Sequence, residues 1–292
     1  MRRLNEDKTV GQERPDGGGT APCLQGPDKF EDKFKRWFSH RCLFSHGIDT
    51  NRWQAQRLPD AARLFHMSQA SPPTPFSAAR IRETVQEILS AESLPPIVQV
   101  GHPVLRQQAA AFDGQITASE LDQLIELMRR VMHEAPGVGL AAPQLGIPLQ
   151  LAVLEDKFDV DPEAAAVRNR TPLEFLAVLN PRYRAVGTHA SAFFEGCLSL
   201  NGLQAVVVRP ERVRLNFIEP GGLPAEREFA GWQARIVQHE TDHLQGTLYV
   251  DRAELRSLSS NAEYSAHWAE PGIGKARAAL GFLPGLPDLP TH

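Results

Sequence analysis

Within the run Gln238-His239-Glu240-Thr241-Asp242-His243, two histidines stand four residues apart. On a helix that spacing places both imidazoles on one face, about one turn from each other. Such a pair can hold a divalent metal, and the glutamate between them can handle protons without being a ligand. Trp232, Ile236 and His239 fall on the same helical face, with Ala234 and Val237 beside it, so the histidine is embedded in an apolar run. A catalytic metal ordinarily takes three protein ligands and keeps one position open. Cys197, in Glu195-Gly196-Cys197-Leu198-Ser199, is the candidate for the third. A lone cysteine is more often a small core hydrophobe. Here it follows a charged residue and a glycine that lets the backbone approach closely, and the other two cysteines, Cys23 and Cys42, lie far upstream.

A further segment, Gly137-Val138-Gly139-Leu140-Ala141-Ala142-Pro143-Gln144, is small and apolar until its last residue. A glycine-rich turn into a buried strand is the plain explanation. A phosphate loop fits poorly, because no lysine follows the glycines and no helix clearly begins there.

Taken in order, G-x-G-L-A-A-x-Q, E-G-C-L-S and Q-H-E-x-D-H resemble the signature of the peptide deformylase family. The resemblance runs from about Leu94 to Asp251, with Val98 to Arg106 near its start and Leu248 to Asp251 at its end. It implies that Cys197, His239 and His243 bind the metal and that Glu240 acts as general base and then general acid. It also implies that Gln144 and the Leu198 N–H stabilise the oxyanion and that Gly139 lends its backbone to the substrate. The implied substrate is the N-formyl-methionyl end of a nascent peptide near the ribosome, and the implied product is formate. Phe193, Trp232 and Ile236, placed beside the motifs, are the candidate walls of an apolar pocket for the methionine. Two imidazoles and a thiolate accept iron, zinc, nickel or cobalt; the family resemblance favours Fe2+.

One departure stands out. Many bacterial members carry a proline and then an arginine after E-G-C-L-S, where this chain has Leu200-Asn201-Gly202-Leu203-Gln204-Ala205. That stretch, with Gly231 to Arg235, is similar to the organelle-type and related bacterial branch. Two other readings compete. A zincin-type peptidase would take its third ligand after the histidine helix, but Glu254 is too close and Glu263 and Glu270 lie in an ordinary tail. A non-catalytic module binding N-terminal peptides would need neither Glu240 nor Gln144.

These residues need rigid elements to hold them. A helix is predicted from Ala78, where Ile81, Val85, Ile88 and Leu89 recur at helical spacing, followed by a short strand over Ile97 to Val100. Thr117-Ala-Ser-Glu120 is a capping box opening a helix whose face is Leu121, Leu124, Ile125, Met128, Val131 and Met132. Strand-type runs follow over 150–154, 176–179, 204–208 and 212–217, with Gly221-Gly222 as a hairpin turn. The metal-binding helix spans about Gly231 to Leu244, closed by Gly246, and a last helical stretch covers about Ala253 to Trp268. The expectation is an α+β fold: antiparallel sheets packed around the H-E-x-x-H helix, with a further helix on the N-terminal side.

Composition bounds the rest. The 292 residues, 42% hydrophobic, suffice for one catalytic domain with extensions. A net charge of -4 sets up no global field for DNA or an anionic membrane. No apolar run is long enough to cross a bilayer. Three scattered cysteines are no disulfide framework and favour a reducing compartment. Arg2 and Arg3 lack a following apolar stretch, and acids such as Glu6, Asp7 and Glu13 disfavour an organelle transit peptide, so the cytoplasm is expected. Residues 1–76, with Gly17-Gly18-Gly19 and no sustained periodicity, read as a disordered extension, and Met67 resembles a protein start. Residues 77–270 form the expected catalytic domain and 271–292 a loose tail.

Overall fold

The computed structural model describes residues 77–284; the N-terminal extension read over 1–76 lies outside them. Helix α1 (Ala78–Ser90) starts at Ser77, whose side chain accepts from the Arg80 N–H, and buries Ile81 and Val85. Helix α2 (Ala118–Glu134) opens on the capping box: Thr117 Oγ1 accepts from the Glu120 N–H, and Glu120 returns the bond to the Thr117 N–H. Bonds from the Thr117 N–H, the Gln86 amide and the Thr117 hydroxyl hold the Glu120 carboxyl down at about 2. All six residues of the predicted apolar face are buried, packing against α1 in the largest hydrophobic cluster.

Two antiparallel sheets follow. The larger has the order β1-β2-β3-β6-β7, from strands β1 (Gly139–Ala141), β2 (Leu151–Asp156), β3 (Leu173–Ala185), β6 (Arg212–Ile218) and β7 (Pro224–Ala230). The smaller joins β4 (Ala190–Gly196), β5 (Leu203–Pro210) and the short β8 (Ser259–Ser260). Strand β6 alternates as its sequence predicts, with Val213, Leu215 and Phe217 buried, and the Gly221-Gly222 turn links it to β7. A short helix α3 (Pro162–Val167) joins β2 to β3. The α+β arrangement is the one expected.

Helix α4 (Gly231–Leu244) carries the histidines and is buried on nearly every side. It lies against β1, β2, β3 and β7 and also reaches β5, so both sheets hold it. Gly246 ends it with φ +74°, its Cα against the backbone of Arg106, a turn and an approach that a side chain would obstruct.

Three expectations fail. Residues 97–100 join no ladder. Instead, Val98 N–H donates to Gln144 O at 2.9 Å and Val100 N–H to Ser199 O at 2.7 Å, tying two loops together after Pro95-Pro96. The helix read over 253–268 is broken, because Ser257 Oγ accepts from the buried Val206 N–H and Ser259 and Ser260 pair with β5. Only helical turns survive on either side. The tail expected to be loose from 271 carries helix α5 (Gly274–Leu280). Ile273, Ala276 and Phe282 there are buried against Ala192, Phe194 and Val206, and that apolar burial holds the segment. No described helix is long and apolar enough to cross a membrane.

Candidate metal centre and substrate cleft

The end of β4 delivers Cys197 to the face of α4. Its Sγ and one ring nitrogen each from His239 and His243 lie within 4.8 Å of one another, with Sγ 3.3 Å from His243 Nε2. The two imidazole centroids are 5.0 Å apart, as one helical turn requires. Among the described residues this is the group of three His, Cys, Asp or Glu side chains able to hold a metal. One thiolate and two imidazoles, converging and largely shielded from solvent, fit a divalent ion. Burial pushes His243 well below its usual pKa, so it is the neutral imidazole a ligand must be. Burial alone would lower His239 too; its hydrogen bonds to Cys197 and Glu195 instead carry it well above. The cluster thus keeps a proton that metal binding would release.

A second layer of charge holds these candidate ligands in place. His239 Nδ1 meets Glu195 Oε2 at 3.0 Å, which directs its other nitrogen toward Cys197. Glu195 also receives a bidentate pair from Arg209, at 2.6 and 2.9 Å, and a 2.6 Å bond from Arg235. Burial would raise the Glu195 pKa, but the two guanidiniums and His239 hold it far below the carboxylate range. The fully buried Arg209 also donates to Asp242 at 2.8 Å, which Tyr183 and Arg252 reach as well. One guanidinium therefore clamps β4, β5 and α4 together. No motif in the sequence points to this network. Part of its signal is in the sequence: Glu195 and Arg209 follow the apolar runs 192–194 and 205–208, and a buried charge must find a partner.

Glu240 lies beside the candidate ligands, buried, with Oε2 making no hydrogen bond. Burial raises its pKa to about 7, against the opposing charges of His239 and Arg209, a value suited to taking and returning a proton near neutrality. Gln144 sits in a 3-10 turn after β1, and its Oε1 accepts from the Ala141 N–H at 2.8 Å. That bond turns Nε2 toward Ser199 Oγ (3.3 Å) and Cys197 Sγ (3.7 Å). The Ser199 N–H points at the same sulfur from 3.4 Å.

A cleft of about 770 Å³ opens onto this centre. Gly139, Gln144, Leu198, Trp232, Ile236 and Glu240 all line it. Phe193 does not: on β4 it faces α4, edge-on to Trp232 at 6.3 Å and under the Arg235 guanidinium at 5.2 Å. It therefore backs the wall instead of forming it. The cleft also takes in Arg235, Gln204 and Asn261, which no motif had singled out.

Comparison with known proteins finds clear relatives. The family described as polypeptide deformylase matches residues 94–258. Peptide deformylase 3 of Streptomyces avermitilis is 52% identical over 222 residues, covering 76% of this chain and 98% of the relative. Peptide deformylase 1 of Streptomyces coelicolor is 50% identical, covering 73% of this chain and 98% of the relative. Among solved structures, the Met-Ala-Ser-bound class I type b peptide deformylase from Acinetobacter baumannii matches with a TM-score of 0.50 at 30% identity. That match covers 56% of this chain and 99% of the other.

Proposed function

The chain belongs to the polypeptide deformylase family, and on that premise we propose that Cys197, His239 and His243 hold its metal while Glu240 carries the protons. The enzyme is a metal-dependent hydrolase that removes the N-formyl group from the methionine at the start of new polypeptides, releasing formate. The observation that carries the residue assignment is the convergence of one sulfur and two ring nitrogens within 4.8 Å, beside the buried Glu240.

A divalent ion held there supplies Lewis acidity, bringing the pKa of a bound water toward about 7 and polarising a carbonyl. Glu240 accepts the proton of the attacking water as its oxygen bonds to the formyl carbon. Gln144 Nε2 and the Leu198 N–H donate to the carbonyl oxygen as charge gathers on it. When the C–N bond breaks, Glu240 returns the proton to the departing amine. The products are formate and a free methionine amine. Gly139 offers its backbone to the peptide, and Trp232 and Ile236 wall the methionine side chain, with Phe193 supporting Trp232 from behind.

The native ion in this reading is Fe2+; two imidazoles and one thiolate also accept zinc, nickel or cobalt. The substrates are nascent chains met near the ribosome in the cytoplasm, and the catalytic domain runs from residue 77 through α5, which packs on β4 and β5. The decisive experiment is formate release from a formyl-methionyl peptide by the metal-loaded protein. Cleavage of internal bonds in unformylated peptide would indicate a zincin instead, and binding without turnover a non-catalytic module.

A further inference from the structure

One rim of the cleft carries two carboxamides to which the reaction assigns no task. Gln204 on β5 lies directly across the ladder from Gly196, one residue before Cys197. Gly196 has no side chain, so nothing from β4 covers Gln204 on that face. Gln204 Nε2 donates to Asn261 Oδ1 at 3.1 Å, and both residues line the cleft. Asn261 follows β8, whose Ser259 and Ser260 pair with Gln204 and Leu203, and its own N–H donates to Gly202 O at 2.8 Å. The ladder thus fixes both backbones, and the amide–amide bond fixes the side chains. Among the described residues, Gln204 Oε1 and Asn261 Nδ2 make no hydrogen bond. An acceptor and a donor are left open side by side, the complement of a peptide group. Asn261 lies beyond residue 258, where the family match ends.

We propose that Gln204 and Asn261 bind the substrate backbone beyond its formyl-methionyl unit. The proposal rests on the reading that this cleft takes formylated peptides. Neighbouring strands lie about 5 Å apart and an extended chain advances about 3.3 Å per residue. With the formyl group at Cys197, the pair on the adjacent strand falls within reach of the second and third residues. Neutral amides read peptide N–H and C=O groups whatever the side chains, which suits an enzyme acting on chains of every sequence. Held by the third strand, the pair gives the C-terminal segment a role in substrate selection.

The test compares kcat/KM for formyl-Met-Ala and formyl-Met-Ala-Ser in the metal-loaded wild type, Gln204→Ala and Asn261→Ala. The third residue raises kcat/KM in the wild type, and each substitution lowers the tripeptide-to-dipeptide ratio roughly three- to tenfold, as expected for one hydrogen bond. Replacing the terminal serine by aspartate or lysine, or raising the salt, leaves the wild-type ratio unchanged. An unaltered ratio in both variants overturns the proposal, as does a wild-type ratio that follows the charge of the third residue. If Gln204→Ala fails to fold, Asn261→Ala, on an exposed helical turn, decides alone. Should the wild type release formate from neither peptide, the deformylase reading falls with it; formate release without the ratio effect removes only this pair.

Discussion

The backbone of Gly139 lies so close against the carboxylate of Glu240 that a methyl group there would overlap its Oε1 and Cδ. The strand carrying the proposed substrate-binding backbone thereby also sets where the proton-carrying side chain can sit. Gly139→Ala should push Glu240 aside while leaving the metal ligands untouched. A misplacement of about 1 Å can cost on the order of 10²-fold in rate, so kcat should fall by about that factor with metal content unchanged. Near-normal turnover would show that Glu240 has room to yield.

Glu240 and Cys197 should fail in different ways. Glu240→Ala keeps fold and metal but loses about 10²–10⁴-fold in turnover, the usual share of general acid–base catalysis. Cys197→Ala loses metal along with activity. Metal analysis of the purified variants beside formate release separates the two, and full metal occupancy in Cys197→Ala would place the third ligand elsewhere.

Glu195 faces two buried guanidiniums and His239. Glu195→Gln removes the charge that balances them, and breaking a buried ion pair typically costs about 3–5 kcal/mol. It also releases His239 from its orienting carboxylate, a change that typically costs roughly 10–100-fold in metal affinity. Thermal unfolding and a competitive metal titration measure the two effects, and a variant as stable and as tightly metallated as the wild type would refute both.

Arg129 and His133, near the end of α2, hold Glu155 on β2. The hydrogen bond from Arg129 leads in bringing the Glu155 carboxyl down to about 2, although burial opposes it. With the folded pKa depressed, this contribution is complete above the unfolded value of about 4.3 and fades as pH falls toward about 2. The stability difference between wild type and Glu155→Gln should therefore narrow across that window in urea melts. A gap that stays constant would show that Glu155 titrates like a free carboxyl.

Loaded with iron(II), the enzyme should lose activity in air as Cys197 is carried toward sulfinic acid. Zinc has no redox chemistry and should leave the thiol intact. Formate release over time under air and under nitrogen, with the mass of the peptide containing Cys197, tests this for each metal form. Equal decay and equal sulfur oxidation in both forms would remove iron as the cause.

The sequence alone determined whatever depends on local spacing. The four-residue interval between His239 and His243, the Thr117–Glu120 capping box and the alternation in β6 each follow from helix or strand geometry. They were readable without knowing what lay across the molecule. The three motifs in order likewise singled out Cys197, 42 residues before His239, as the candidate third ligand. Tertiary structure decided what depends on distant partners. Residues 97–100 look like a strand, yet they spend their N–H groups on Gln144 and Ser199. Residues 253–268 read as one helical stretch, but β5 offered Ser259 and Ser260 a ladder that broke it. The buried clamp of Arg209 on Glu195 and Asp242 joins residues 14 and 33 positions apart. Charged side chains can be buried only when such partners meet, and their meeting is a property of packing, which no local pattern encodes.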